Sequence, residues 1–360
     1  MGWMRWVASG VLALGLVLFG LSQAFRVQIG MSLFERGIER GLSRDLIGSL
    51  PDGLHVALCG TAGPMADPAR EGPCTAVIAG ARVFIVDVGG GTPRNLGVMG
   101  LPIGQIERVF LTHFHSDHID GLGELLTLSW VGGVKKTPTP IHGPQGVDRV
   151  VDGFNAAYGL DAGYRTAHHG PAVAPPSGHG GAAVPFQINS GLDAVVLIDE
   201  ADLKVTAFAV GHSPVEPAVG YRFDYKGRSA TISGDTIYSD NLVAVSKDVD
   251  LLVSEALSAD MVALMRDAAA ARGIANLEKI FIDIPDYHVS PAGAAEMAQA
   301  AGADMLALTH IVPALPSRYL NRAFLGEARA AFDGPIVVGE DGMMFTLRAD
   351  GSGIERRRLN

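Results

Sequence analysis

The chain has 360 residues, 48% of them hydrophobic and 18% charged, which is ample material for a core and gives no compositional sign of disorder. A formal net charge of −10 argues against broad, non-specific nucleic-acid binding, which needs a positive field, and leaves room only for a local basic patch. The length exceeds a typical single domain and suits one large domain behind a leader.

Residues 7–25 contain no charged side chain and follow Arg5. Their length falls between a signal-peptide core and a spanning helix, and Ser22 and Ala24 are small residues suited to a cleavage site. We therefore expect 1–25 to be a signal peptide or a membrane anchor, forming a membrane-targeting helix. Met31, Phe34, Ile38 and Leu42 recur at helical spacing opposite Glu35, Arg36, Glu39 and Arg40, which predicts an amphipathic linker helix within 26–50 lying on a membrane surface. Arg26, Arg36, Arg40 and Arg44 come after the apolar run and by the positive-inside rule would hold the rest in the cytoplasm. A short N-terminal apolar segment usually exports the chain behind it, however. The expectation is a domain anchored in the membrane or secreted to the periplasm, with a cytoplasm-facing anchor as the alternative.

The remaining chain reads as a domain over 51–350 with a short tail at 351–360. Apolar runs at 54–59, 74–79 and 82–87 predict strands. The third ends on Asp87 and runs into Gly89–Gly91, where backbone can approach another element closely. Cys59 and Cys74, the only cysteines, stand at the two ends of one loop and fit a disulfide across it; two reduced, buried cysteines are the alternative. A disulfide and export would stand together, since such bonds rarely persist in the cytosol.

A strand through Val109, Phe110 and Leu111 ends in His113, His115, Asp117 and His118, and a helix starts there. On extended backbone His113 and His115 project to the same side, and Asp117 and His118 come next at the turn. Four metal-type ligands in six residues suit two adjacent cations. A helix through Ala157 is expected next, then a Gly/Pro-rich insertion at 160–190 read as a surface loop or lid. His168, His169 and His179 lie in it, a poor place for tight ligands. Four later apolar runs end on His212, Asp235, Glu255 and His310. Any one alone is an ordinary strand-end residue; together with the central cluster they form a ligand set.

The cluster from His113 to His118 resembles the His-x-His-x-Asp-His signature of the metallo-β-lactamase superfamily, and the resemblance extends over about residues 52–348. It implies an α+β fold, an αββα sandwich with a dinuclear metal site along one edge of two sheets. Matched residue by residue, it puts His113, His115 and His212 on one metal and Asp117, His118 and His310 on the second, with Asp235 bridging. Two divalent ions are implied, zinc by ligand type, with manganese or iron also compatible, and a hydroxide held by the pair would be the nucleophile. Asp87 would support the metal loop from behind.

A bridging Asp235 disfavours antibiotic hydrolysis. The segment from His288 to Ser290, and Glu255 after Ser254, resemble the ribonuclease Z and arylsulfatase-like branch, in which His288 would protonate or stabilise the leaving oxygen with Glu255 as its partner. The chain departs from the usual ribonuclease Z segment in having Ser254 and Leu257 around Glu255 and Ala256. Ribonuclease Z carries an arm that grips transfer RNA, and the 160–190 segment in a comparable region holds only Arg165 as a basic side chain. The membrane-targeting N-terminus, the opening from Gly60 to Pro64 and the turn from Ile141 to Pro144 likewise resemble the arylsulfatase-like members, so the expectation is an arylsulfatase-like hydrolase of a sulfate or phosphate ester on a small molecule or nucleotide. Ribonuclease Z-like transfer-RNA processing is the alternative, with nucleic acid disfavoured. A metal-bound binding or regulatory protein without turnover is the reading from another class.

Overall fold

In the computed structural model, residues 2–189, 193–200 and 202–359 are described. The chain divides after Ser49 into two units. The first holds helices α1 (Gly2–Ala24) and α2 (Arg26–Leu42). On α2 no residue is buried, and Met31, Phe34 and Ile38 are exposed. The membrane-targeting expectation for 7–25 falls partly on Ala13, Leu16, Val17, Gly20, Leu21 and Ala24, whose side chains lie outside the described residues. Among the described residues no helix is long and apolar enough to cross a membrane.

The second unit holds two mixed sheets. The first contains β1 (Gly53–Gly60), β2 (Cys74–Ala79), β3 (Arg82–Val86), β4 (Ile106–Phe110), β5 (Thr139–Gly143) and β6 (Gly181–Pro185). The second contains β7 (Ala194–Glu200), β8 (Leu203–Val210), β9 (Ala218–Tyr225), β10 (Arg228–Ile232), β11 (Leu251–Leu257), β12 (Met305–Val312) and β13 (Ile336–Val338). The chain then returns to the first sheet through β14 (Met343–Arg348) and β15 (Glu355–Arg358), giving it the order β15-β14-β1-β2-β3-β4-β5-β6. Leu54, Val56, Phe84 and Phe110 meet Val205, Tyr221, Phe223 and Leu251 in a core between the sheets. These strands are buried on both faces, so they read as continuous apolar runs rather than alternating ones. A second core, including Leu252, Leu306, Ala294 and Met297, lies between the second sheet and the helix Pro291–Ala301.

Two features place the functional residues on one edge. Strands β3, β4 and β5 run parallel, as do β10, β11, β12 and β13, so the carboxyl ends of each set lie side by side. Cys59 and Cys74 are joined by a disulfide beside that edge, at the irregularity where β1 leaves β2.

Two expectations need correction. Residues 160–190 are not a structureless lid: the helix Val147–His169 continues into them as far as His169, and after a loop β6 pairs with β5 in register from Thr139 opposite Gly181. The helix buries only Val147, Val151 and Ala162, too sparse a stripe to read as helical periodicity among its glycines and alanines. Residues 351–360 are likewise not a bare tail, since β15 pairs with β14 from Met343 opposite Arg358. Its four side chains are all exposed, so it carries no apolar signal.

Candidate metal centre

The end of β4 turns sharply into a short helix, Ser116–Ile119, and that turn aims the cluster. Asp87, just beyond β3 at φ 57°, fixes it. Its Oδ1 accepts the Thr112 N–H at 2.8 Å, and its Oδ2 accepts the Thr112 hydroxyl at 2.7 Å and faces His118 Nδ1 at 2.8 Å. His118 therefore donates through Nδ1 and presents Nε2 to the site, the arrangement in which an outer carboxylate sets the tautomer of a ligand histidine. Gly89 lets this turn press against the loop behind it; a Cβ there would collide with the Asp117 carbonyl.

The second sheet supplies the rest from strand ends. His212 comes just after β8, and its Nδ1 donates to the Tyr287 carbonyl at 2.9 Å, leaving Nε2 inward. Asp235 comes after β10 and is almost fully buried. His310 sits within β12 at φ 46°, a conformation uncommon for a residue with a side chain. The pairing shows why. Glu255 lies opposite Thr309 and Ala256 opposite Ile311, so His310 is the extra residue of a β-bulge, and the bulge re-aims its ring toward the site.

All seven expected ligands converge. Ligand atoms of His113, His115, His212 and Asp235 lie within 4.8 Å of one another, as do those of Asp117, His118 and His310. Asp235 Oδ2 stands between the groups, 3.3 Å from His118 Nε2, 3.4 Å from His310 Nε2 and 3.8 Å from both His113 Nε2 and His212 Nε2. Asp117 Oδ2 lies 3.3 Å from His310 Nε2.

The chemistry of this donor set fits bound cations. His115 Nδ1 faces His113 Nε2 at 3.0 Å and His212 Nε2 at 3.4 Å. His212 has spent its proton on Tyr287, so lone pairs crowd one point with too few hydrogens to pair them. His118 Nε2 and Asp235 Oδ1 are buried without a hydrogen-bond partner, a costly arrangement unless a cation or proton answers it. Burial holds His113 well below the ordinary imidazole range and His212 at about 4, favouring the neutral, ligating form. Burial also opposes charge on His118, but the Asp235 and Asp87 carboxylates outweigh it and push that group up. Asp235 is raised by burial and lowered further by His310, His118 and His113, so its net shift is well down.

Beside the cluster, His288 Nδ1 lies 2.9 Å from Glu255 Oε1 and 4.0 Å from Asp235 Oδ2. Glu255 Oε1 also accepts the Thr236 N–H at 2.8 Å. Asp235, Glu255, His288 and His310 form a third convergent group. Glu255 is already engaged by His288 and Thr236, however, so the pair is better suited to holding a proton. Burial lowers His288, but the Glu255 carboxylate more than reverses this and takes it up to about 9.

Reading the chain did not single out Thr112, which links Asp87 to His113 and lies one residue before the motif, nor the Tyr287 carbonyl, which has no side-chain signal at all. His168 and His169 lie exposed at a helix end, and His179 packs edge-on against Trp130 at 5.3 Å; none of them is in a convergent group.

The profile of the Beta-lactamase superfamily domain matches residues 93–311. Ribonuclease Z of Mycobacterium bovis BCG is 35% identical over 291 residues, covering 80% of this chain and 96% of the relative. Ribonuclease Z of Mycolicibacterium gilvum is 35% identical over 292 residues, covering 80% and 94%. Among solved structures, the short form of human tRNase Z shares the fold, with a TM-score of 0.56 and 24% identity over 81% of this chain and 98% of that one. With this match and two sheets meeting at a histidine-rich edge, the chain belongs to the metallo-β-lactamase superfamily, in its ribonuclease Z branch, and is a metal-dependent phosphodiesterase.

Proposed function

We propose that this enzyme cleaves RNA phosphodiesters in the manner of ribonuclease Z, trimming a 3′ extension from a transfer-RNA precursor, rather than hydrolysing sulfate esters. The observation that carries this reading is the extent of the likeness to the mycobacterial ribonucleases Z, which spans nearly their whole length. The expectation against nucleic acid rested in part on 160–190 serving as an RNA-gripping arm, beside the net charge of −10 and the membrane-targeting reading of the N-terminus. That segment is the end of a helix, a connecting loop and a sheet strand, so it is not a free arm whose basic content would decide RNA binding.

In this reading His113, His115 and His212 would hold one cation and Asp117, His118 and His310 a second, with Asp235 available to both. Imidazole and carboxylate donors without thiolate suit zinc. Such cations would neutralise charge on the phosphate and activate the attacking water. His288 keeps Nδ1 on Glu255 and offers Nε2 to the leaving oxygen as general acid. Glu255, anchored by the Thr236 N–H, orients that ring and keeps it protonated.

The test supplies the zinc-loaded protein with a 3′-extended transfer-RNA precursor, bis(p-nitrophenyl) phosphate and p-nitrophenyl sulfate. Endonucleolytic removal of the extension is expected. Turnover of the sulfate with the precursor left intact would overturn the proposal.

One observation favours a second reading, an exported ester hydrolase rather than an intracellular ribonuclease. The buried Cys59–Cys74 bridge supports an oxidising compartment, hence export. Two free thiols in alkylated protein taken from cells would remove that support.

A further inference from the structure

On the His212 side of the metal centre lies a cavity of about 570 Å³, within the range of small-ligand sites. It is built from the end of β8, the loop entering β9 and the segment after Asp235. The Ile237 N–H donates to the Gly211 carbonyl at 2.8 Å, stitching the segment after Asp235 to the residue before His212. Gly211 and Ile237, which line the cavity, stand one residue before His212 and two after Asp235 in the chain.

Its chemistry is divided. Val210, Pro217, Ile237 and Tyr238 give it apolar and aromatic surface, and Ile237 and Tyr238 remain 43% exposed despite their size. Among the described residues Glu216 and Asp240 are its only charged lining groups, and no lysine or arginine lines it. Neither carboxylate belongs to a convergent metal-type group among the described residues. A phosphate would be repelled here. A flat heterocycle would not, because its faces can lie against Tyr238 and the aliphatic walls while its edge donates to the carboxylates.

We propose that this cavity receives the base of a nucleotide flanking the scissile phosphodiester, and that Glu216 and Asp240 make it prefer bases with an exocyclic amino group over uracil. The proposal rests on the RNA-cleaving reading above. Adenine, cytosine and guanine each present an amino donor, and a carboxylate accepts from such a group. Uracil presents a carbonyl oxygen in its place, which the same carboxylates repel, and keeps only its ring N–H as a donor.

The experiment uses the zinc-loaded full chain and 3′-extended transfer-RNA precursors in which each of the four bases is placed on the 5′ or the 3′ side of the cleaved bond. Wild type, Glu216→Gln, Asp240→Asn and the double variant are compared by kcat/KM, with bis(p-nitrophenyl) phosphate run in parallel. At one of the two positions uracil should be cut about tenfold more slowly than cytosine or adenine, the scale of one good base contact. The double variant should bring that ratio close to one. The ratio is taken within one protein, so a partly inactive preparation cannot imitate the result. Equal rates for all bases at both positions, or a preference retained by the double variant, overturns the cavity assignment while RNA cleavage stands. Turnover of the aryl diester with no precursor cut overturns the RNA reading and this site with it.

Discussion

The two halves of the candidate metal centre are assembled by different means. From His113 to His118, four polar groups occupy six residues of one strand-to-helix turn, held from behind by Asp87 and Thr112. Across from them, His212, Asp235 and His310 are separated by nearly a hundred residues and meet only because strands of the second sheet end at one edge. The first half is a local device whose geometry comes from a turn. The second depends on sheet register and on one bulge, so the alignment of whole strands decides whether its ligands meet.

The largest test of this contrast is at the shared carboxylate. Asp235→Ala should lose both cations and drop hydrolysis to background, because Oδ2 faces ligands of both groups. His115→Ala, at the half-exposed margin of the local cluster, should lose one cation and retain the other. Elemental analysis reads both, and two metals per chain in the Asp235 variant would remove the bridging role.

A smaller effect is expected at His288, which belongs to the distal half without being a proposed ligand. His288→Ala should keep the metals and lower turnover by about 10²–10⁴, with less loss on substrates whose leaving groups are good. A loss independent of leaving-group pKa would make the ring structural. Next, Asp87→Ala removes the support of the local half only. Cation affinity should fall about 10–100-fold, the usual effect of losing such an outer partner. Chelator competition measures it, and unchanged affinity would mean that the turn holds itself.

The smallest effect on the site should come from Asp341, which accepts from the Thr61 hydroxyl and the Glu71 N–H in the loop beside the local half. Burial raises its carboxyl from 3.8 to about 6. The folded chain then holds a proton that the unfolded chain releases, so this group's contribution to stability is greatest below pH 3.8 and is lost as pH rises to about 6. The loss is at most about 3 kcal/mol at 1.36 kcal/mol per unit. Denaturation of wild type and Asp341→Asn across pH 3.5–7 should differ by this falling amount, with turnover of the variant little changed. A difference that rises with pH would refute the sign.

The same division separates the features legible in the sequence from those that were not. The local cluster was legible because its spacing is itself the geometry: residues two apart on a strand point one way, and the turn after them brings the next two near. The distal ligands were legible as strand-end residues and as matches to a family pattern, but their convergence was not contained in any one segment. That His310 is the bulged residue depends on β11 lying alongside β12, and the choice of Nε2 on His212 depends on a backbone carbonyl 75 residues away. The helix and strand within 160–185 and the edge strand at the C-terminus are not legible in the sequence because their stability comes from neighbours rather than from their own periodicity. Composition, spacing and residue type thus determined which groups the enzyme has for its chemistry. Long-range strand pairing decided where those groups meet, because only pairing fixes register and register alone sets which side chains face each other.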